Sequence, residues 1–132
     1  MTETTSKSER SELVDTIERY VRFWNPGADD AFTAETLVED VEYCAPVGVL
    51  TGSAALVDFR RQFTDHMGSY EFRRRTAPDL HHDRARLSWE LVTATGDSFA
   101  EGTDVLTVAD DGRVRAVTVF LDRPPAGFDA HA

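Results

Sequence analysis

Leu13, Val14, Ile17, Tyr20, Val21 and Trp24 recur at three- and four-residue spacing, which sets them on one stripe of an α-helix. Ser6 and Glu9 have the spacing of a capping box at its start, and Asn25-Pro26-Gly27 ends it. Asp29 or Asp30 is placed to cap a shorter helix carrying Phe32, Leu37 and Val38. A third helical pattern, Leu56, Phe59, Phe63 and Met67, lies between Ser53 as its predicted cap and Gly68 as its stop.

Elsewhere the period is two. Val41 to Ala45 reads as a strand stopped by Pro46, and 47–50 as a short extended piece. After Gly68 the segments 70–76, 84–94, 98–109 and 113–122 all read as strands. Their links centre on Pro78-Asp79, Thr95-Gly96-Asp97 and Asp110-Asp111-Gly112. Helices first and antiparallel strands afterwards predict an α+β domain with the helices on one face of the sheet. The expected boundaries are a disordered tail at 1–9, one domain at 10–125 and a loose tail at 126–132. The predicted core includes Leu13, Ile17, Val21 and Leu106.

A chain of 132 residues makes one domain of ordinary composition, 41% hydrophobic and 29% charged. Its net charge of −10 argues against nucleic acid or an anionic membrane as partner. Arg73-Arg74-Arg75 alternates across a strand and reads as a solvated face. Cys44 is the only cysteine, which fits a reducing, cytoplasmic setting, and its alternation away from Tyr43 makes it a small buried hydrophobe. No apolar run nears the roughly 20 residues that span a bilayer, and residues 1–10 lack the apolar centre of a signal sequence. His81-His82-Asp83 lacks a metal-ligand spacing, and there is no phosphate loop, nucleophile elbow or dinucleotide fingerprint.

One residue breaks the pattern. Along 98–108, Gly102, Asp104, Leu106 and Val108 share a strand face, so Asp104 sits in line with core residues. A carboxyl there loses hydration and its pKa should rise, with Leu106 and Phe120 as expected neighbours. The alternative is a structural carboxylate at the wet end of the strand. Tyr20 and Trp24 lie one helical turn apart and can be core or pocket. Tyr43, on the strand face of Ala45, points inward. Phe59, Phe63 and Met67 can line a pocket, and Trp89 suits core, pocket wall or dimer surface.

Four stretches carry a resemblance: Glu18-Arg19-Tyr20-Val21-Arg22-Phe23-Trp24-Asn25, Ala45-Pro46-Val47-Gly48, His81-His82-Asp83-Arg84, and Gly102-Thr103-Asp104 through Phe120-Leu121-Asp122. On these the chain resembles the nuclear-transport-factor-two-like superfamily, in its SnoaL-like and ketosteroid-isomerase-like branch. The resemblance implies a cystatin-like fold, a cone-shaped curved antiparallel sheet packed on three N-terminal helices and enclosing an apolar pocket. It also implies a homodimer through the sheet's outer face, for which Val105, Val117 and Val119 are the expected outward residues. In ketosteroid isomerase an Asp base works with a Tyr and a protonated Asp as oxyanion donors. Tyr20 matches that Tyr and Asp104 the protonated Asp, while Ala45 stands at the position of the base. Asp122 resembles the acid–base Asp of SnoaL-like cyclases, and its alternative is a surface Asp beside Arg123 where the last strand frays.

The implied function is therefore a cofactor-independent isomerase or cyclase acting on a small apolar ketone. Its catalytic residues would be Asp104, Tyr20 and Asp122. Trp24, Tyr43, Phe59, Phe63, Met67, Trp89 and Phe120 would bind the substrate. Two alternatives stay open. One is a non-catalytic module that holds a hydrophobic ligand. The other is an epoxide hydrolase or dehydratase of the same fold, although Ser88 and Glu90 stand where epoxide hydrolases carry an Arg and an Asp.

Overall fold

A computed structural model of the chain describes residues 7–125. Ser6 of the expected capping box, residues 1–6 of the N-terminal tail and the tail at 126–132 lie outside the described residues. Helix α1 (Lys7–Trp24) opens inside the segment expected as tail and delivers Ile17, Tyr20 and Phe23 to the core, all fully buried. Helix α2 (Asp30–Thr36) is capped by Asp29, whose carboxylate accepts from the Phe32 amide at 2.8 Å. The helix ends one residue before Leu37, which is extended at φ −120°. Leu37 and Val38 thus belong to strand β1 (Leu37–Ala45) instead of a helix, where the β-branched Val38 and Val41 fit the pleat better.

Strand β2 (Gly48–Thr51) leads into helix α3 (Ser53–Met67). Ser53 is the first helical residue and not the cap. Gly52 holds that position at φ 99°, a left-handed backbone that leaves no side chain to cap with. Gly68 ends α3 as expected, its amide donating to the Thr64 carbonyl at 2.8 Å. Arg60 ties α3 to α1, with its guanidinium over the Phe23 ring and donating to the Phe23 carbonyl.

The remaining strands are β3 (Tyr70–Arg74), β4 (Asp79–His81), β5 (Arg84–Thr93), β6 (Ser98–Val108) and β7 (Val114–Arg123). Segment 79–81, expected inside a link, is a short strand on the same β5 edge as β3. The sheet runs β2-β1-β7-β6-β5-β3. The β1–β7 pairing is parallel and the others are antiparallel, so the sheet is mixed and not wholly antiparallel. Leu87, Leu106 and Val117 of the sheet meet Ile17 and Leu56 in one core. Each such side chain contributes roughly 1.5–3 kcal/mol by leaving water. No helix among the described residues is long and apolar enough to cross a membrane.

Bulges bend this sheet and also overturn one expectation. Thr107 pairs with Ala116 but Val108 pairs with Val114, leaving Arg115 as an extra residue. That insertion reverses the alternation of β7. Val117 and Val119, expected on the outer face, are buried at 1% and 7% exposure, while Phe120 is 56% exposed. The outward residues of β7 are therefore Thr118, Phe120 and Asp122. Cys44, expected to be buried, is exposed on β1.

Candidate functional site

Asp104 is carried inward by β6 between Gly102 and Leu106, and is 2% exposed. The stripe of α1 brings Tyr20 over it, and the Tyr20 hydroxyl donates to Asp104 Oδ2 at 2.6 Å. The other oxygen, Oδ1, accepts from Trp89 Nε1 at 2.7 Å. Trp89 lies opposite Gly102 in the β5–β6 register, and its indole reaches the carboxyl only by lying across that glycine. A Cβ built on Gly102 would stand 2.2 Å from Trp89 Cζ2 and 2.8 Å from the Phe120 carbonyl oxygen. The residue type at 102 is thus set by the tryptophan, and the tryptophan by the carboxyl.

Burial pushes Asp104 from 3.8 up to about 7, and the hydrogen bonds from Tyr20 and Trp89 hold it below where burial alone would take it. Phe120 takes no part, because it points outward. Tyr20 is raised well above the ordinary phenol value, by burial first and by the Asp104 charge second. Trp24 Nε1 is buried without an acceptor in hydrogen-bond geometry. It nonetheless lies close enough to the Tyr20 oxygen to favour the phenolate slightly.

Beside this cluster is a cavity of about 380 Å³ walled by aromatic and aliphatic side chains. Of the residues expected to bind substrate, Trp24, Tyr43, Phe59 and Phe63 line it. Phe120 and Asp122 do not, since both face outward on β7, and Asp122 accepts from Thr103 Oγ1 at 2.7 Å on that exposed face. Met67, half-buried at the end of α3, and Trp89, beneath the wall as the partner of Asp104, also lie outside the lining. Asp104 and Tyr20 themselves are absent from it. A catalytic role by the resemblance would need Asp104 to face the cavity. Instead it lies behind the wall with both oxygens engaged.

The wall also holds Tyr70 and Phe72 of β3, Leu91 of β5 and Leu121 of β7, which the sequence reading left out. Tyr70 and Phe72 could have been found from their alternation in 70–76. Leu121 could not, because its direction depends on the bulge. Two tyrosines line the cavity. Tyr70 donates its hydroxyl to the Trp24 carbonyl, whereas Tyr43, 7% exposed, has no hydrogen-bond partner among the described residues. Among the described residues no group of three or more His, Cys, Asp or Glu could hold a metal ion. His81 and His82 are exposed in the β4–β5 turn, their Nδ1 atoms 3.1 Å apart.

No family model matches the sequence, and no curated protein matches it. Solved structures do. A candidate isomerase of the SnoaL-like family from Agrobacterium tumefaciens is 26% identical, with a TM-score of 0.77 over 85% of this chain and 98% of that one. A cystatin-like protein of unknown function from Methylobium petroleophilum gives 18% identity and a TM-score of 0.73, covering 97% of this chain and 85% of its own. A candidate polyketide cyclase from Sinorhizobium meliloti gives 17% and 0.67, over 80% of this chain and 94% of its own. The fold is that of the nuclear-transport-factor-two-like superfamily, and its structural relatives include SnoaL-like proteins.

Proposed function

We propose that this protein holds a small, neutral, largely hydrocarbon molecule in the cavity and does not transform it. One observation carries this reading: among the described residues no carboxylate or histidine lines the cavity. Proton transfer needs an acceptor within hydrogen-bond reach of the reacting carbon or through one water. Ala45 cannot serve, Asp122 is on the other face of the sheet, and Asp104 is enclosed by Tyr20 and Trp89. Binding requires only the cavity, whose volume is at the small end of the range for ligand sites.

A second reading, an isomerase or cyclase acting on a ketone, is favoured by the pKa of about 7 at Asp104. It needs the cavity wall to open so that the carboxyl meets the substrate. The two readings separate in deuterated buffer with 1-tetralone as probe. Binding followed by tryptophan quenching, with α-proton exchange no faster than in free solution, is the expected result. Exchange accelerated by about 100-fold or more, and abolished by Asp104→Asn, would establish the enzyme instead.

We also propose a homodimer through the outer face of the sheet. Phe120 is exposed there, and Val105 and Thr118 pair beside it. An exposed aromatic on a sheet face that no helix among the described residues covers fits the centre of a self-complementary contact. Sedimentation velocity should give a dimer at micromolar concentration and a monomer for Phe120→Asp. A wild-type monomer at that concentration would remove the proposal.

A further inference from the structure

We propose, resting on the ligand-binding reading above, that Tyr43 selects the ligand by donating to a single oxygen acceptor the one side-chain hydroxyl left open among the described residues of the lining. The occupant is then a compact, neutral, ring-shaped hydrocarbon carrying one carbonyl.

The assignment follows by accounting for the polar side chains at and behind the wall among the described residues. The Tyr70 hydroxyl is committed to the Trp24 carbonyl. The Trp24 indole N–H is fully buried, so it does not open onto the cavity surface. The Tyr20 hydroxyl and the Trp89 N–H are both given to Asp104. Of the two hydroxyls in the lining, only that of Tyr43 is left without a partner among the described residues, on a side chain more than nine-tenths buried. Hydroxyls in apolar surroundings are rarely left unpaired, and this one faces the cavity, where an acceptor can reach it. The Tyr43 ring is fixed in place by Trp24, with centroids 5.5 Å apart, and by Phe59 at 6.2 Å.

Two facts set the sign of the bond and the charge of the ligand. Burial, and then the charge of Asp104, raise the Tyr43 phenol well above its ordinary value, so it keeps its proton and acts as a donor. An anionic ligand would enter an apolar wall beside Asp104 with no cationic side chain among the described residues of the lining and would lose its hydration uncompensated. Flat rings suit the wall, where Trp24, Phe59, Phe63 and Phe72 present aromatic faces and edges.

The test uses 9-fluorenone and fluorene, which share one tricyclic frame and differ by a carbonyl in place of a methylene. Isothermal titration should show wild-type protein binding fluorenone about tenfold more tightly than fluorene. In Tyr43→Phe the two should bind alike, with fluorene unchanged. The melting temperature of unliganded Tyr43→Phe should equal or exceed that of wild type, because the deleted hydroxyl has no protein partner. Persistence of the wild-type preference in the variant, or equal binding of both probes by wild type, would overturn the role of Tyr43 while leaving cavity binding intact. A clear fall in melting temperature would overturn it too, by revealing a protein partner for the hydroxyl. Binding of neither probe would remove the cavity-binding reading itself.

Discussion

Gly102→Ala is expected to destabilise the fold by about 3 kcal/mol, at the upper end of the usual overpacking range. The added methyl would meet the Trp89 ring at 2.2 Å and the Phe120 carbonyl oxygen at 2.8 Å. Neither contact is relieved cheaply. The carbonyl belongs to β7, the strand beside β6 in the sheet. The indole can retreat only by giving up its bond to Asp104 Oδ1, which leaves a buried carboxyl one donor short. Thermal melts should show Tm lower by about 10 °C. Because the tightest part of the clash is with one side chain, Gly102→Ala combined with Trp89→Leu should lose less than the sum of the single losses, the contact with the Phe120 carbonyl remaining. Additive losses in that double variant would show that the glycine is required for some other reason.

The second large effect is a pH dependence carried by Asp104. Its folded pKa of about 7 lies above the 3.8 of a free aspartate, so between these values the native state binds more protons than the unfolded one. Stability from this group is therefore full below about pH 4 and falls as the pH rises through 7. The loss amounts to roughly 4 kcal/mol at 1.36 kcal/mol per pH unit. The group is almost completely buried, so solvent screening does little to reduce it. Asp104→Asn reproduces the protonated pattern, with its oxygen accepting from Trp89 and its amide donating to the Tyr20 oxygen. Denaturant titrations across pH 4–8 should find the variant similar to wild type at pH 4 and more stable by several kcal/mol at pH 8. A constant difference across that range would mean that Asp104 does not titrate there. The comparison with Asn isolates this group from the exposed Asp111, whose pKa is lowered by hydrogen bonds from Arg113 and whose contribution runs the opposite way.

A buried acid that weakens the fold at neutral pH has a structural counterpart in the three groups around it. Tyr20 from α1, Trp89 from β5 and Asp104 from β6 are joined by two short hydrogen bonds, which tie the helix to the centre of the sheet behind the cavity wall. The cluster thus fixes where Trp24, one turn along α1, presents its ring to the cavity. On the proposed reading, it positions the wall and does not touch the ligand.

The sequence by itself determined a good part of this. The 3.6-residue stripe from Leu13 to Trp24 has an apolar side and a polar side, so the direction of Tyr20 was settled locally. The alternation of Gly102, Asp104, Leu106 and Val108 put the carboxyl on the core side of its strand, with Thr103 and Thr107 as polar counterparts, and left open only whether it lay at the wet end. Desolvation was then readable as the dominant influence on its pKa. β7 offered no such contrast. Ala116, Thr118 and Phe120 on one side and Val117, Val119 and Leu121 on the other are both apolar enough to be buried. The choice between them was made by the bulge at Arg115, a feature of how β7 meets β6 in the bent sheet. That one extra residue turned Asp122 and Phe120 away from the cavity and turned Leu121 into it. Tertiary structure alone likewise decided that Trp89 spends its N–H on Asp104 and that Tyr70 binds the Trp24 carbonyl. These bonds join residues 15 and 46 positions apart, so no local period encodes them, and they are what leaves Tyr43 as the one hydroxyl still open.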